Sequence, residues 1–241
     1  MKKFQKVLAF LICVAIISWV CPAFSEDKNE EETEFLDTVI KKAENGDPES
    51  QYLLGHMYDY GELLEQDSAE AFIWYKKAAE QGHVEAQFMT GIMYHKGWGV
   101  GRDDSQAVKY YRMAAEHEHS GAQFNLGAAY YKGEGVRQDY SEAVKWYKKA
   151  AGNGLAEADY NLGLMYHKGN GIRQNYSEAL KYYRKAAEKG HLKAQYNLGI
   201  MYENGEGVKK NRPMAVKWLR LSARQGNQEA QNALNNMGEK W

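Results

Sequence analysis

The sequence predicts an all-α solenoid of five 36-residue helical hairpins, with a capping helix at either end. Two observations predict it. Residues recur in register without a gap: Gly55, Gly91, Gly127, Gly163 and Gly199 form one column, Tyr58 to Tyr202 a second, and Ala71 to Ala215 a third. Within each period two helical patterns flank a glycine-rich bend, and neither can bury its apolar side chains alone. Such hairpins must stack on copies of themselves.

The start of the chain has the pattern of an export leader. Lys2, Lys3 and Lys6 precede an apolar run over 7–20, and Ala23 and Ser25 are small residues suited to a signal peptidase. The run is too short to span a bilayer comfortably. Residues 1–25 are therefore expected to be a signal peptide cleaved after Ser25, directing the protein to the periplasm or outside the cell. No stable membrane span is expected afterwards. Both cysteines, Cys13 and Cys21, fall in the leader, so the remainder needs no disulfide and has no thiolate metal site or thiol nucleophile. The whole chain has 31 basic and 32 acidic residues. Losing Lys2, Lys3 and Lys6 leaves a net charge of −4, which is no nucleic-acid footprint. Residues 26–34 are acidic and polar and are expected to be a flexible tether. Phe35, Leu36, Val39, Ile40 and Ala43 then make an amphipathic stripe, so 35–46 is expected to be a capping helix.

The repeats occupy 50–229, in units 50–85, 86–121, 122–157, 158–193 and 194–229. In the third unit the first helix covers roughly 122–132, the bend is Gly133-Glu134-Gly135-Val136, and the second helix runs from about Ser141 to Gly154. The second helix has a single apolar stripe, Ala143, Trp146, Tyr147, Ala150 and Ala151, at helical spacing. Lys145, Lys148 and Lys149 point away. Asp139 with Glu142 reads as a capping box, repeated at Asp67 and Asn175. The first helix has two apolar faces, Ala122–Leu126–Ala129–Tyr130 and Phe124–Gly127–Tyr131, so it lies between neighbours. A glycine inside it costs up to about 1 kcal/mol against alanine, which predicts a close approach by another backbone. Residues 230–241 supply a C-terminal capping helix, making twelve helices in all.

The string A-x-x-x-L-G-x-x-Y-x-x-G-x-G-V-x-x-D, followed by A-x-x-W-Y-x-x-A-A-x-x-G, resembles the Sel1-like repeat, a relative of the tetratricopeptide repeat. That resemblance implies a right-handed α/α superhelix serving as a protein-interaction scaffold, in bacteria often exported. This sequence departs from the pattern at Leu63-Leu64, where a different bend is expected, at Glu118 in place of a glycine, and at Leu219 in place of a tyrosine. Some cysteine-rich relatives are associated with penicillin binding, which makes a penicillin-binding or β-lactamase-like activity the alternative. The cysteine pairs of those relatives are absent beyond the leader, and the one S-x-x-K, Ser25 to Lys28, falls at the cleavage site. No catalytic residue, cofactor or metal is expected. His95 and His167 share a column two repeats apart, too far to hold one ion.

The expected site is a groove lined by the first helix of each unit. Hiding both packed faces leaves a stripe reading Met89, Ile92 and Lys96; Asn125, Ala128 and Lys132; Asn161, Leu164 and Lys168; and Asn197, Ile200 and Asn204. Asparagine is a poor helix-interior residue, yet it recurs at three positions. Its amide suits a peptide backbone, while the lysines favour an acidic segment. The other reading is that each asparagine bonds a neighbouring repeat, and the sequence leaves both open. The function expected is therefore that of a monomeric, non-enzymatic scaffold binding a protein or an extended peptide.

Overall fold

The computed structural model describes residues 25–241, and among these every regular element is a helix. Residues 1–24 of the expected leader lie outside the described residues. The helices are α1 (Ser25–Glu44), α2 (Pro48–Tyr60), α3 (Ser68–Glu80), α4 (Val84–Lys96), α5 (Asp104–Glu116), α6 (Ser120–Lys132), α7 (Tyr140–Gly152), α8 (Ala156–Lys168), α9 (Tyr176–Glu188), α10 (Leu192–Asn204), α11 (Arg212–Arg224) and α12 (Gln228–Asn236). Even-numbered helices from α2 open a repeat, and odd-numbered ones from α3 close it. Two compact units result, one ending at His83 and one beginning at Val84.

In the first unit, α1 packs on α2. Val39 and Ala43 are buried with Leu54 and Met57, and Phe35, Leu36, Ile40, Leu63 and Leu64 close around them. The expected tether over 26–34 differs: the structure carries α1 unbroken from Ser25. No Gly or Pro interrupts Ser25–Glu44, glutamate is a good helix former, and acid at a helix start suits the macrodipole.

In the second unit each helix packs on the next in sequence, from α4 to α12. The predicted stripe of α7 is inside, with Ala143, Trp146, Tyr147 and Ala150 all buried. Asp139 accepts from the backbone N–H groups of Ser141 and Glu142 at 2.9 and 3.0 Å. The other half of the capping box differs, because Glu142 reaches forward to Lys145 and Glu178 likewise to Lys181.

The helix glycines are tight, but the close neighbour is a side chain rather than a backbone. A Cβ on Gly127 would lie 2.9 Å from the Tyr147 ring, on Gly163 2.5 Å from Tyr183, and on Gly199 2.7 Å from Leu219. The bends have a stricter demand. Gly135, Gly171 and Gly207 have φ near +67°, and a Cβ on them would strike the backbone at Asp104, Tyr140 and Tyr176, within 2.0 to 2.5 Å. The first bend does not differ as expected. Leu63 takes the same left-handed conformation, φ 61°, and joins the cluster under α1. A non-glycine residue there costs about 1–2 kcal/mol, offset by burial against the cap. Glu118, φ 62°, likewise keeps a turn that glycine makes in the other repeats.

Candidate functional site

Between the second, third and fourth repeats, the opening helices enclose a cavity of about 470 Å³. Seven of the twelve expected groove residues line it: Ile92, Lys96, Asn125, Ala128, Lys132, Asn161 and Leu164. The other five do not. Met89 is half-buried on α4, Lys168 is exposed at the end of α8, and Ile200 packs on the cluster around Val216 and Leu219. Asn204 donates to Glu206 at 2.9 Å, and Asn197 lies within reach of the Tyr160 and Tyr183 hydroxyls.

The closing helices supply residues that the groove stripe omitted. Ala107, Val108, Tyr111 and Tyr147 line the cavity from α5 and α7, while Phe124 and Met165 line it from the opening helices themselves. The tyrosine column was visible in the sequence, but nothing there shows that its rings reach the groove.

The asparagines have partners in the preceding repeat. The Asn125 side chain lies within reach of the Tyr111 hydroxyl, Asn161 of Tyr147, and Asn197 of Tyr183. Burial pushes all three phenols well above their ordinary range. The ends of the column follow the same logic. In the fifth repeat Leu219 replaces the tyrosine, Ala233 stands at the asparagine position, and the two share an apolar cluster. In the first, the Tyr75 hydroxyl turns instead to the Asp59 carboxylate at 3.5 Å. Asparagine thus appears where a tyrosine hydroxyl must be satisfied. One bond uses only part of the amide, which keeps further donor and acceptor capacity.

Most of the charges at the rim are paired. Lys132 lies 3.4 Å from Glu134, and Asp104 meets both Arg102 and His95 at 2.7 Å. The Arg102 guanidinium first, and then His95, hold the Asp104 carboxyl below its usual range. Other histidines have structural work. His119 Nδ1 accepts from the Ala122 N–H at 3.0 Å, and His191 Nδ1 from Ala194 at 3.2 Å, so both cap opening helices. Among the described residues, no group of three His, Cys, Asp or Glu side chains is placed to hold a metal ion. None of the described helices is long and apolar enough to cross a membrane.

A second column was missed altogether. Gln123 donates to the Ala115 carbonyl at 3.2 Å and accepts from Asn153 at 3.1 Å; Gln195 does the same with Ala187 and Gln225, at 3.2 and 2.8 Å. These buried amides tie each repeat to the one before it. In the fourth repeat the rung becomes ionic, with Asp159 buried and 2.8 Å from Lys189.

Helix pairs in unbroken register, tied by polar rungs and open along the first helices, define a repeat scaffold. The sequence matches the Sel1 repeat over 48–83, 84–119, 120–155, 156–191 and 192–227, and the chain belongs to that family. The matched units keep the 36-residue period and begin two residues before the units read from the sequence. Among solved structures, the chain is similar to c5321, a protective antigen of uropathogenic Escherichia coli with an SLR fold. Identity is 40%, the TM-score 0.82, and the match covers 86% of this chain and 44% of that one. The chain thus spans less than half of that relative. A Sel1 repeat protein from Oxalobacter formigenes is 39% identical with a TM-score of 0.73, over 78% of this chain and 74% of that one. A putative Sel1 repeat protein of Klebsiella pneumoniae, 22% identical with a TM-score of 0.50, shares the fold. Comparison with curated proteins gave no match. Sel1-repeat proteins generally act through contacts with other proteins, and such scaffolds are typically non-enzymatic.

Proposed function

We propose that the protein is an exported, non-enzymatic scaffold that holds an extended segment of a partner protein across the opening helices of the second to fourth repeats. The cavity over Ala128 carries this reading, because seven residues selected as a groove line one concavity. Its volume falls in the range of about 300–1,000 Å³ typical of ligand pockets. An extended segment advances about 3.3 Å per residue, and packed helices lie about 8–10 Å apart, so successive helices would meet it about every third residue. Lys96 and Lys168, exposed at their helix ends, favour acidic side chains on either flank. Export rests on the leader pattern of residues 1–25.

Site-specific photo-cross-linking in intact cells tests it. A cross-linker at Lys132 or Lys168 should capture one short contiguous stretch of a partner, whereas one at Lys145 or Lys148 should not. Equal capture from both faces sinks the groove. The captured chain should have an intact mass beginning at Glu26, and a mass retaining Met1 sinks the cleavage.

A further inference from the structure

The cavity opens at a departure from a column's pattern, in which the first repeat carries His56 and the third Ala128. At the middle of the opening helix the second, fourth and fifth repeats carry Ile92, Leu164 and Ile200, and the third carries Ala128. The cavity opens over that alanine, with Ile92 and Leu164 to either side of it and Val108, Phe124 and Met165 among its lining. A sister repeat would fill this space with its own aliphatic side chain.

The rim argues against a charged occupant at the centre. Lys132 is engaged by Glu134, and Asp104 by Arg102 and His95. A carboxylate or ammonium entering over Ala128 would lose its hydration beside charges already paired with one another, Lys96 at the α4 edge of the cavity being the exception, and burying an unpaired charge is costly. An apolar side chain has no such cost and gains about 25 cal/mol for each Å² removed from water. The amides of Asn125 and Asn161 keep capacity beyond their tyrosine bonds, enough to engage the backbone on either side of such a residue.

We infer that the third repeat is an anchor subsite: Ala128 leaves a vacancy in the repeat pattern that takes one bulky apolar side chain of the bound segment, Phe or Leu in type. The inference rests on the groove reading above and names what that groove selects. Acidic residues belong at the flanks, near Lys96 and Lys168, and not at the centre.

The test uses the purified chain and short, fluorescently labelled Ala-Ser peptides with one central Phe, Leu, Ala or Asp. Binding is followed by anisotropy, and folding by circular dichroism. The Phe and Leu peptides should bind at least tenfold more tightly than the Ala or Asp peptides. Ala128→Leu, which restores the residue type of the sister repeats, should melt no lower than wild type and weaken Phe-peptide binding by about tenfold or more, as expected when a hydrophobic site loses its room. Ala128→Ser keeps the space and should bind within a few-fold of wild type, which guards against a fold defect in the leucine variant. An Asp peptide that binds best, or Phe binding unchanged by Ala128→Leu, overturns the anchor. Cross-links from Lys132 in the absence of Phe selectivity overturn the anchor alone. Loss of those cross-links as well overturns the groove with it.

Discussion

The third and fourth repeats share most of their sequence but are closed by different chemistry. In the third, the rung between opening and closing helices is neutral, Gln123 with Asn153. In the fourth it is Asp159 with Lys189, the carboxylate only 1% exposed. A Cβ on the helix glycine of the third would lie 2.9 Å from its tyrosine ring, and one on that of the fourth 2.5 Å. The helix after the third repeat follows Leu155, which gives it no side-chain cap, whereas the helix after the fourth is capped by His191. A repeat position therefore fixes a geometric task, such as filling a gap or satisfying a helix end, and leaves open which chemistry performs it.

The largest separation between the two repeats is expected at the glycines. Overpacking typically costs about 1–3 kcal/mol, occasionally more. Gly163→Leu should reach the top of that range or exceed it, because the Tyr183 ring is buried and the cluster on both sides must shift. Gly127→Leu should cost less. Urea denaturation of both variants checks the order, and equal midpoints would show that the rings yield freely.

The rungs come next. Lys189→Ala leaves the Asp159 carboxylate buried and unpaired, and one Asp159 oxygen already has no hydrogen-bond partner. Breaking a fully buried pair costs about 3–5 kcal/mol. Lys189 is 39% exposed, so water screens part of the loss and roughly 2–3 kcal/mol is expected. Asn153→Ala, which removes neutral bonds to the Gln123 amide and the Glu118 carbonyl, should cost about 1–2 kcal/mol. Asp159→Gln combined with Lys189→Gln rebuilds the fifth-repeat rung and should recover most of the difference.

Much of this was legible in the sequence, and the limits have physical causes. Period, helix order, bends and the buried stripe of α7 follow from spacing, which dictates what faces inward. Partners across repeats do not follow, because a column shows that a residue recurs and not what it touches. The helix glycines therefore predicted a close approach and named the wrong neighbour, a backbone in place of a ring. Leu63 predicted a changed bend, but the cap could absorb its side chain and the backbone kept its form. Seven of the residues read as a stripe line the cavity, and much of the remaining lining was not foreseen, since a stripe on one helix omits what adjacent closing helices contribute. The asparagine ladder gave no sign in the sequence of the Tyr111, Tyr147 and Tyr183 hydroxyls that lie within its reach.

Helix starts distinguish the repeats more gently. Leu155 provides no cap, and Ala158 has no side-chain acceptor before it. Leu155→Asn copies Asn227, which accepts from Ala230 at 2.8 Å. A good cap contributes about 1 kcal/mol, but Leu155 also packs on the cluster around Leu162. A net gain below about 1 kcal/mol is expected in thermal melts, and a loss would show that the packing outweighs the cap.

The smallest effect is one of pH. His191 caps α10 through the Nδ1 lone pair and stacks on Tyr160 at 4.5 Å, with Glu157 and Lys193 the charged groups nearest it. Burial first, opposed by Glu157, holds its pKa below the ordinary value. A depressed pKa means that the unfolded chain takes up the proton more readily than the folded one. The contribution is therefore present above the unfolded pKa of about 6.5 and lost as pH falls through the lower folded value. Protonation also removes the cap, because an Nδ1–H donates where the helix N-terminus needs an acceptor, and it sets a positive charge at the positive end of the helix dipole. Wild type should lose stability as pH falls below about 6.5, with a component that His191→Asn removes. Leu155→His should install the same dependence at the junction after the third repeat. Urea midpoints measured across that interval decide it: if wild type and His191→Asn fall in parallel, the histidine cap contributes nothing that titrates.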